Sequence, residues 1–142
     1  MSKFQIHHIG IAVYNLDKAI EVYTSMGYSS SPVFSDPIQG VRICLLSKND
    51  ELIVELVARL NDIDRSPVDS ILEKNGPTAY HTCYVVAKIE EAVNEMKELG
   101  FIQVSKLSPA IAFENRRVIF MYNSNVGLIE LVEKCSSTAA YL

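Results

Sequence analysis

Two histidines and two glutamates recur at matched places in this 142-residue chain, and their side chains are of metal-ligand type. His8 opens the run His8 to Val13, and His81 opens a similar run, His81 to Val86, 73 positions later. Glu55 lies within Leu52 to Val57, and Glu130 lies within Gly127 to Val132, 75 positions apart. Between them Leu16 answers Ile89, Ala19 answers Ala92, and Gly27 answers Gly100. Self-similarity of this length marks a duplicated structural unit. Each copy carries one His near its start and one Glu near its end. Side chains alternate along a strand, so Glu55 shares a face with Ile53 and Val57, and Glu130 with Leu128 and Val132. An unpartnered carboxylate in such apolar surroundings costs on the order of several kcal/mol. A divalent cation shared by His8, Glu55, His81 and Glu130 would remove that cost for all four. A single His in an apolar strand is more often a hydrogen-bonded core residue, and a single Glu more often sits at an exposed edge. The recurrence of the same pair in both copies favours ligation. His7 stands outside the repeat, being matched by Tyr80, and alternation turns it to the other face, where packing or a supporting hydrogen bond is its expected role.

Imidazole and carboxylate donors suit Ni²⁺, Co²⁺, Zn²⁺, Mn²⁺ or Fe²⁺, and ligand type alone does not choose among them. No cysteine occupies a ligand position, which disfavours a structural zinc site. Four protein ligands on a six-coordinate ion leave two positions for water or substrate. That is a catalytic arrangement. Such an ion polarises a carbonyl oxygen, acidifies the neighbouring C–H and stabilises an enolate or enediolate. Glu130 and Glu55 are the candidates to move the proton. Asp36 and Glu114 lie on loops and are expected to be solvated acids. Arg59, Arg116 and Arg117 could hold a phosphate or carboxylate, with surface charge as the simpler reading.

The elements that must position these residues follow from periodicity and caps. Phe4 to Val13 alternates as a strand, with Ile9, Ile11 and Val13 on one face and His8, Gly10 and Ala12 on the other. Asn15 caps a helix carrying Leu16, Ala19, Ile20, Tyr23 and Met26, and Gly27 closes it. Strands are expected over Tyr28 to Phe34, Val41 to Leu46 and Glu51 to Arg59, with turns at Asp36 to Gly40 and Lys48 to Asp50. Ser66 and Pro67 suggest an N-cap and first helical residue in a linker helix that Asn75 and Gly76 stop. The second copy repeats the pattern with a strand from Tyr80, a helix over Ile89 to Leu99, and strands near Phe101, Val118 and Leu128. Ser108 to Arg116 reads as a loop. One α+β domain is expected over residues 1–134, with modules at 4–59 and 79–134, a linker at 60–78 and a tail at 135–142.

Composition narrows the function classes. Half the chain is apolar, so a real core is expected, and the net charge of −4 disfavours nucleic acid, which wants a basic face. No apolar run approaches the roughly 20 residues that span a bilayer, and the N-terminus lacks the pattern of a signal peptide. Three well-separated cysteines, Cys44, Cys83 and Cys135, argue against a disulfide framework and for a reducing cytoplasm. The expected partner is a small-molecule substrate, with neither nucleic acid nor membrane.

Up to Lys134 the chain resembles the vicinal oxygen chelate superfamily, which comprises glyoxalases, bleomycin-resistance proteins and extradiol dioxygenases. That resemblance implies two βαβββ modules forming a curved eight-stranded cup, with helices outside and a metal inside. It puts His8, Glu55, His81 and Glu130 on the family's metal positions and implies a homodimer. Within the superfamily the chain is most similar to methylmalonyl-CoA epimerases, in His8 to Val13, Gln39-Gly40-Val41, Ser66-Pro67 followed by Ile71 to Gly76, and Gly127 to Glu130. This implies a metal-dependent isomerase acting on a CoA or other thioester. The chain departs from those epimerases at Ile38, where they usually carry a catalytic Glu. It is also similar to glyoxalase I, whose ligand set of two His and two Glu it matches. Ala12 and Arg59 stand where that family holds glutathione with an Arg and an Asn. Other superfamily members only sequester an antibiotic, but they generally lack the metal ligands. The Fe²⁺ oxygenases use two His and one carboxylate, a pattern that the additional Glu55 does not fit.

Overall fold

The computed structural model describes residues 3–135, which divide into two compact units. One unit comprises residues 8–80; the other comprises residues 81 onward together with the first seven.

The strands of the first unit are β1 (Gln5–Ala12), which enters it at His8, β2 (Ser29–Ser30), β3 (Phe34–Asp36), β4 (Val41–Ser47) and β5 (Ile53–Arg59). They lie in the order β2-β4-β5-β1, with β3 added on β4. β1 and β5 are parallel, because helix α1 (Leu16–Ser25) makes the crossover between them and the rest of the unit. Asn15 caps α1 as expected, its side-chain oxygen accepting from the Lys18 N–H at 3.0 Å. Gly27 ends it at φ +101°, a conformation that side-chain-bearing residues rarely adopt. Leu16, Ile20 and Tyr23 then pack on Cys44, Leu46, Leu56 and Ala58, which face outward from the sheet toward the helix. Each fully buried leucine contributes about 1.5–3 kcal/mol.

The second unit repeats this plan. β6 (Thr78–Val86), helix α3 (Ile89–Glu98), β7 (Ile102–Gln103), β8 (Ser108–Ala110), β9 (Arg116–Asn123) and β10 (Gly127–Glu133) follow one another. The strand order is β6-β10-β9-β7, with β8 added on β9. Ile89, Ala92, Val93 and Met96 pack on Val86, Ile119, Met121 and Leu131. The α+β class and the duplicated unit are as the sequence implies. The eight expected strands become ten among the described residues, because each unit carries one additional short strand, β3 or β8.

Local departures have local causes. The strand expected over Tyr28 to Phe34 is split into β2 and β3, since Pro32 has no N–H to donate to a ladder. Ser31 covers the gap: its backbone N–H donates to the Leu45 carbonyl, and its hydroxyl accepts from the Leu45 N–H at 2.9 Å. The loop expected at Ser108 to Arg116 contains β8 and a single 3-10 turn, Ile111–Phe113, followed by Glu114 and Asn115 with positive φ. Ser66 does not cap the linker helix α2 (Asp69–Asn75), which starts after Val68. The Ser66 hydroxyl instead donates to the Gly40 carbonyl at 2.8 Å, tying the linker to the turn before β4. Gly76 ends α2 as foreseen. Residues 136–142 of the expected tail lie outside the described residues. No described helix is long and apolar enough to cross a membrane.

Candidate metal centre

In the first unit the β1–β5 ladder sets His8 opposite Ile53 and Gly10 opposite Glu55, so His8 and Glu55 project from one sheet face. Their side chains meet, with His8 Nε2 3.4 Å from Glu55 Oε1, and both residues are buried. Gly10 and Ala12, the small residues on the same face of β1, are themselves buried. In the second unit Glu130 on β10 is opposite Cys83, two residues after His81 on β6. His81 Nε2 lies 3.2 Å from Glu130 Oε1, and both residues are again buried. The His81 ring meets Phe120 edge-on at 5.2 Å between centroids, and Phe120 faces Glu130 across the β9–β10 ladder. That ring was not foreseen as part of the site, although its alternation with Val118 and Tyr122 would place it on this face.

In each unit the His and the Glu that recur in the sequence thus stand side by side. Two donors at right angles on a first-row ion, each about 2.0–2.2 Å from it, are about 3 Å apart. The His–Glu separations are close to that value. Each unit thus sets one buried imidazole beside one buried carboxylate, donors of metal-ligand type. The residues fit the group that the sequence implies.

The other candidates are sorted by their surroundings. Asp36, expected to be solvated, is 1% exposed. Its carboxylate accepts from the Gln39 backbone N–H and side-chain amide, both at 3.0 Å, and so closes the turn that carries Ile38. This burial was not readable from a loop aspartate alone. Ile38, where a catalytic Glu would stand, is an exposed apolar side chain, and Glu114 is an exposed acid as expected. His7 is buried with its ring edge-on to Phe113 at 5.2 Å, in keeping with a packing role.

Each arginine already has anionic or carbonyl partners. Arg59 donates to Asp69 at 3.2 Å and to the Ile63 carbonyl at 2.9 Å. The Ser66 backbone N–H, and then Arg59, hold the Asp69 carboxyl below the usual carboxylate range. Arg116 is buried and donates to the Phe113 carbonyl. Arg117 bridges Glu133 at 2.9 Å and Glu90 at 2.8 Å, which lowers the pKa of both carboxyls and raises its own. These pairs brace the linker and the ends of β9 and β10. Cys44, Cys83 and Cys135 form no disulfide among the described residues, and burial pushes the Cys44 thiol up.

The chain is similar in sequence and fold to known proteins. The chain is 29% identical over 131 residues to an ethylmalonyl-CoA/methylmalonyl-CoA epimerase of Cereibacter sphaeroides, covering 89% of this chain and 96% of that protein. Its fold matches the crystal structure of methylmalonyl-CoA epimerase from Mycobacterium tuberculosis with a TM-score of 0.81 and 28% identity, covering 95% and 91% of the two chains. A variant Streptomyces coelicolor methylmalonyl-CoA epimerase in complex with 2-nitronate-propionyl-CoA matches with a TM-score of 0.75 and 25% identity, covering 93% and 98%. These similar proteins are enzymes, as their names state. The model of the Glyoxalase/Bleomycin resistance protein/Dioxygenase superfamily matches residues 7–120, a span that holds His8, His81, Glu55 and the repeated strand–helix pattern. With most of its length matched in this way, the chain belongs to the Glyoxalase/Bleomycin resistance protein/Dioxygenase superfamily.

Proposed function

We propose that the chain is a metal-dependent isomerase that moves a proton at the carbon next to a thioester carbonyl, in the manner of a methylmalonyl-CoA epimerase. The observation that carries this reading is the buried His–Glu pair in each unit, 3.4 and 3.2 Å apart. In this reading His8, Glu55, His81 and Glu130 hold one divalent ion: Ni²⁺, Co²⁺, Zn²⁺ or Mn²⁺. When bound, the ion supplies a Lewis acid for the substrate carbonyl oxygen.

The chain's own residues do the rest. As ligands, His8 and His81 would each offer a neutral imidazole nitrogen. Glu130 withdraws the α-proton, and Glu55 is the second carboxylate available to return one. Epimerisation needs proton exchange on both faces of one carbon. Ile38 has no titratable group, and Asp36 is engaged by Gln39. The two ligand carboxylates therefore carry both roles. Apolar neighbours along each strand keep the site dry and make its charges more effective.

Glyoxalase I chemistry, with a hemithioacetal as substrate, is the second reading, favoured by the carboxylate at Glu55. A cytoplasmic location accords with three cysteines that form no disulfide among the described residues, and the family resemblance carries the expectation of a homodimer, which light scattering at micromolar concentration checks.

The test is deuterium incorporation at C2 of methylmalonyl-CoA in D₂O, with elemental analysis of protein purified without chelator. Near-stoichiometric metal should be present, and it should be lost in the His8→Ala, His81→Ala double variant. Glu130→Gln should abolish exchange; full activity in that variant would overturn the role given to Glu130. Iron as the native metal would raise the oxygenase. No metal in either protein would leave a sequestering module instead.

A further inference from the structure

The two units differ most tellingly on the face that carries the His–Glu pairs, just beyond the pairs themselves. In the second unit Phe120 lies across from Glu130, Tyr122 across from Leu128, and Ile102 across from Tyr122. Residues paired across a ladder share a face, so Phe120, Leu128, Tyr122 and Ile102 continue the surface that bears His81 and Glu130. Tyr122 is 43% and Ile102 61% exposed, while Phe120 and Leu128 are half-buried. In the first unit Leu45 lies across from Glu55, and at the outer edge Ser29 pairs with Ser47. Ser29 and Ser47 occupy the positions of Ile102 and Tyr122. One copy of the unit thus folds with two exposed serines where the other exposes an isoleucine and a tyrosine. The fold does not require apolar side chains there. Their presence on one copy only, continuous with Phe120 against His81, indicates a ligand that reaches them from the His81–Glu130 pair.

We propose that Phe120, Leu128, Tyr122 and Ile102 form a shelf for the apolar acyl chain of a thioester substrate, and that the preferred acyl group is longer than propionyl. This inference rests on the thioester reading above and adds the substrate class. A methyl branch alone would not span the two strands from Glu130 to Ile102, whose neighbours are about 4.8 Å apart. Two such steps come to about 10 Å, which takes an extended chain of about eight carbons.

The experiment measures Kd by calorimetry for propionyl-, butyryl-, hexanoyl- and octanoyl-CoA, on metal-loaded protein and on Ile102→Ser, Tyr122→Ser and Leu99→Ser variants. Leu99 is 70% exposed but lies off this face, so its variant controls for general surface greasiness. Binding should tighten roughly two- to fourfold per methylene that reaches the shelf. Ile102→Ser and Tyr122→Ser should flatten that dependence without weakening propionyl-CoA, and Leu99→Ser should leave it intact. A flat series in the parent protein, equal slopes in all variants, or no acyl-CoA binding at all would overturn the shelf. A changed oligomeric state in Ile102→Ser with an unchanged slope would reassign the patch to a second copy and overturn it as well. The outcomes separate the two readings. A chain-length dependence without C2 deuterium exchange keeps the shelf and sinks the epimerase-like reading; exchange with a flat series does the reverse.

Discussion

Glu133 shows how a single charged residue can report on stability without touching the chemistry. Arg117 donates to it from both Nε and Nη2, at 3.0 and 2.9 Å, and its own backbone N–H adds a third bond at 2.8 Å. The arginine side chain is the main cause of its lowered pKa. A carboxyl whose folded pKa is depressed contributes stability above its unfolded value, about 4.3 for Glu, and loses it as pH falls through the folded value. Glu133→Gln should therefore lower the midpoint of thermal unfolding at pH 7, with the gap to the parent closing below pH ~4. The pair is partly exposed, so the effect is small and shrinks in salt. A gap that stays constant from neutral to acid pH would show that the carboxyl's charge is not what matters. Glu130 is a different case. It is buried beside His81, and under the proposed mechanism its replacement should be read in exchange rate, with a loss of at least about a hundredfold.

At the scale of elements, the two helices offer an internal control. Asn15 and Lys88 hold the same N-cap position, with similar extended backbones at φ −112° and −128°. Asn15 accepts from a backbone N–H; Lys88 makes no side-chain cap bond. Asn15→Ala should cost about 1 kcal/mol, and Lys88→Asn should stabilise by about 0.5–1 kcal/mol, both read from urea midpoints. Destabilisation by Lys88→Asn would mean that its weak pairing with Glu91, at 3.9 Å, outweighs a cap. Edge strands follow another logic. β2 and β7 are two residues each, a length that limits pairing with foreign strands. The serines that β2 exposes and the apolar Ile102 of β7 show that short edges leave side-chain choice free for other uses.

For the molecule as a whole, the bound ion should couple chemistry to stability. Four buried donors without a cation keep two carboxylates in apolar surroundings, and a ligand that binds only the folded state adds about 4 kcal/mol when present at a thousand times its Kd. Chelation should therefore lower the unfolding temperature by several degrees and abolish deuterium exchange together, and both should return on adding a divalent ion. The His8→Ala, His81→Ala double variant should no longer respond to chelator. If the parent protein melts at the same temperature with and without chelator, the proposed ligand set is wrong. The superfamily assignment rests on other grounds and would stand.

The sequence by itself determined the repeated strand–helix pattern, both long helices and the sheet faces, and it marked the Glu that stands beside His8 and beside His81. These are readable because they are set by short-range rules. Alternation puts Glu55 between Ile53 and Val57, a cap residue starts α1, and a fixed offset between the copies links His8 to His81. Only the tertiary structure decided which polar groups are buried and which partners they take. Asp36 looks like a loop acid, yet it is buried because Gln39 folds back on it and β3 pairs with β4. Ser66 looks like a helix cap, yet its hydroxyl is taken by Gly40, 26 residues away. Arg59 and Arg117 look available for a phosphate, yet Asp69 and Glu133 are brought to them by the linker and by β10. A hydrogen-bonding side chain takes whichever partner the completed fold sets within about 3 Å, and local sequence does not contain that distance.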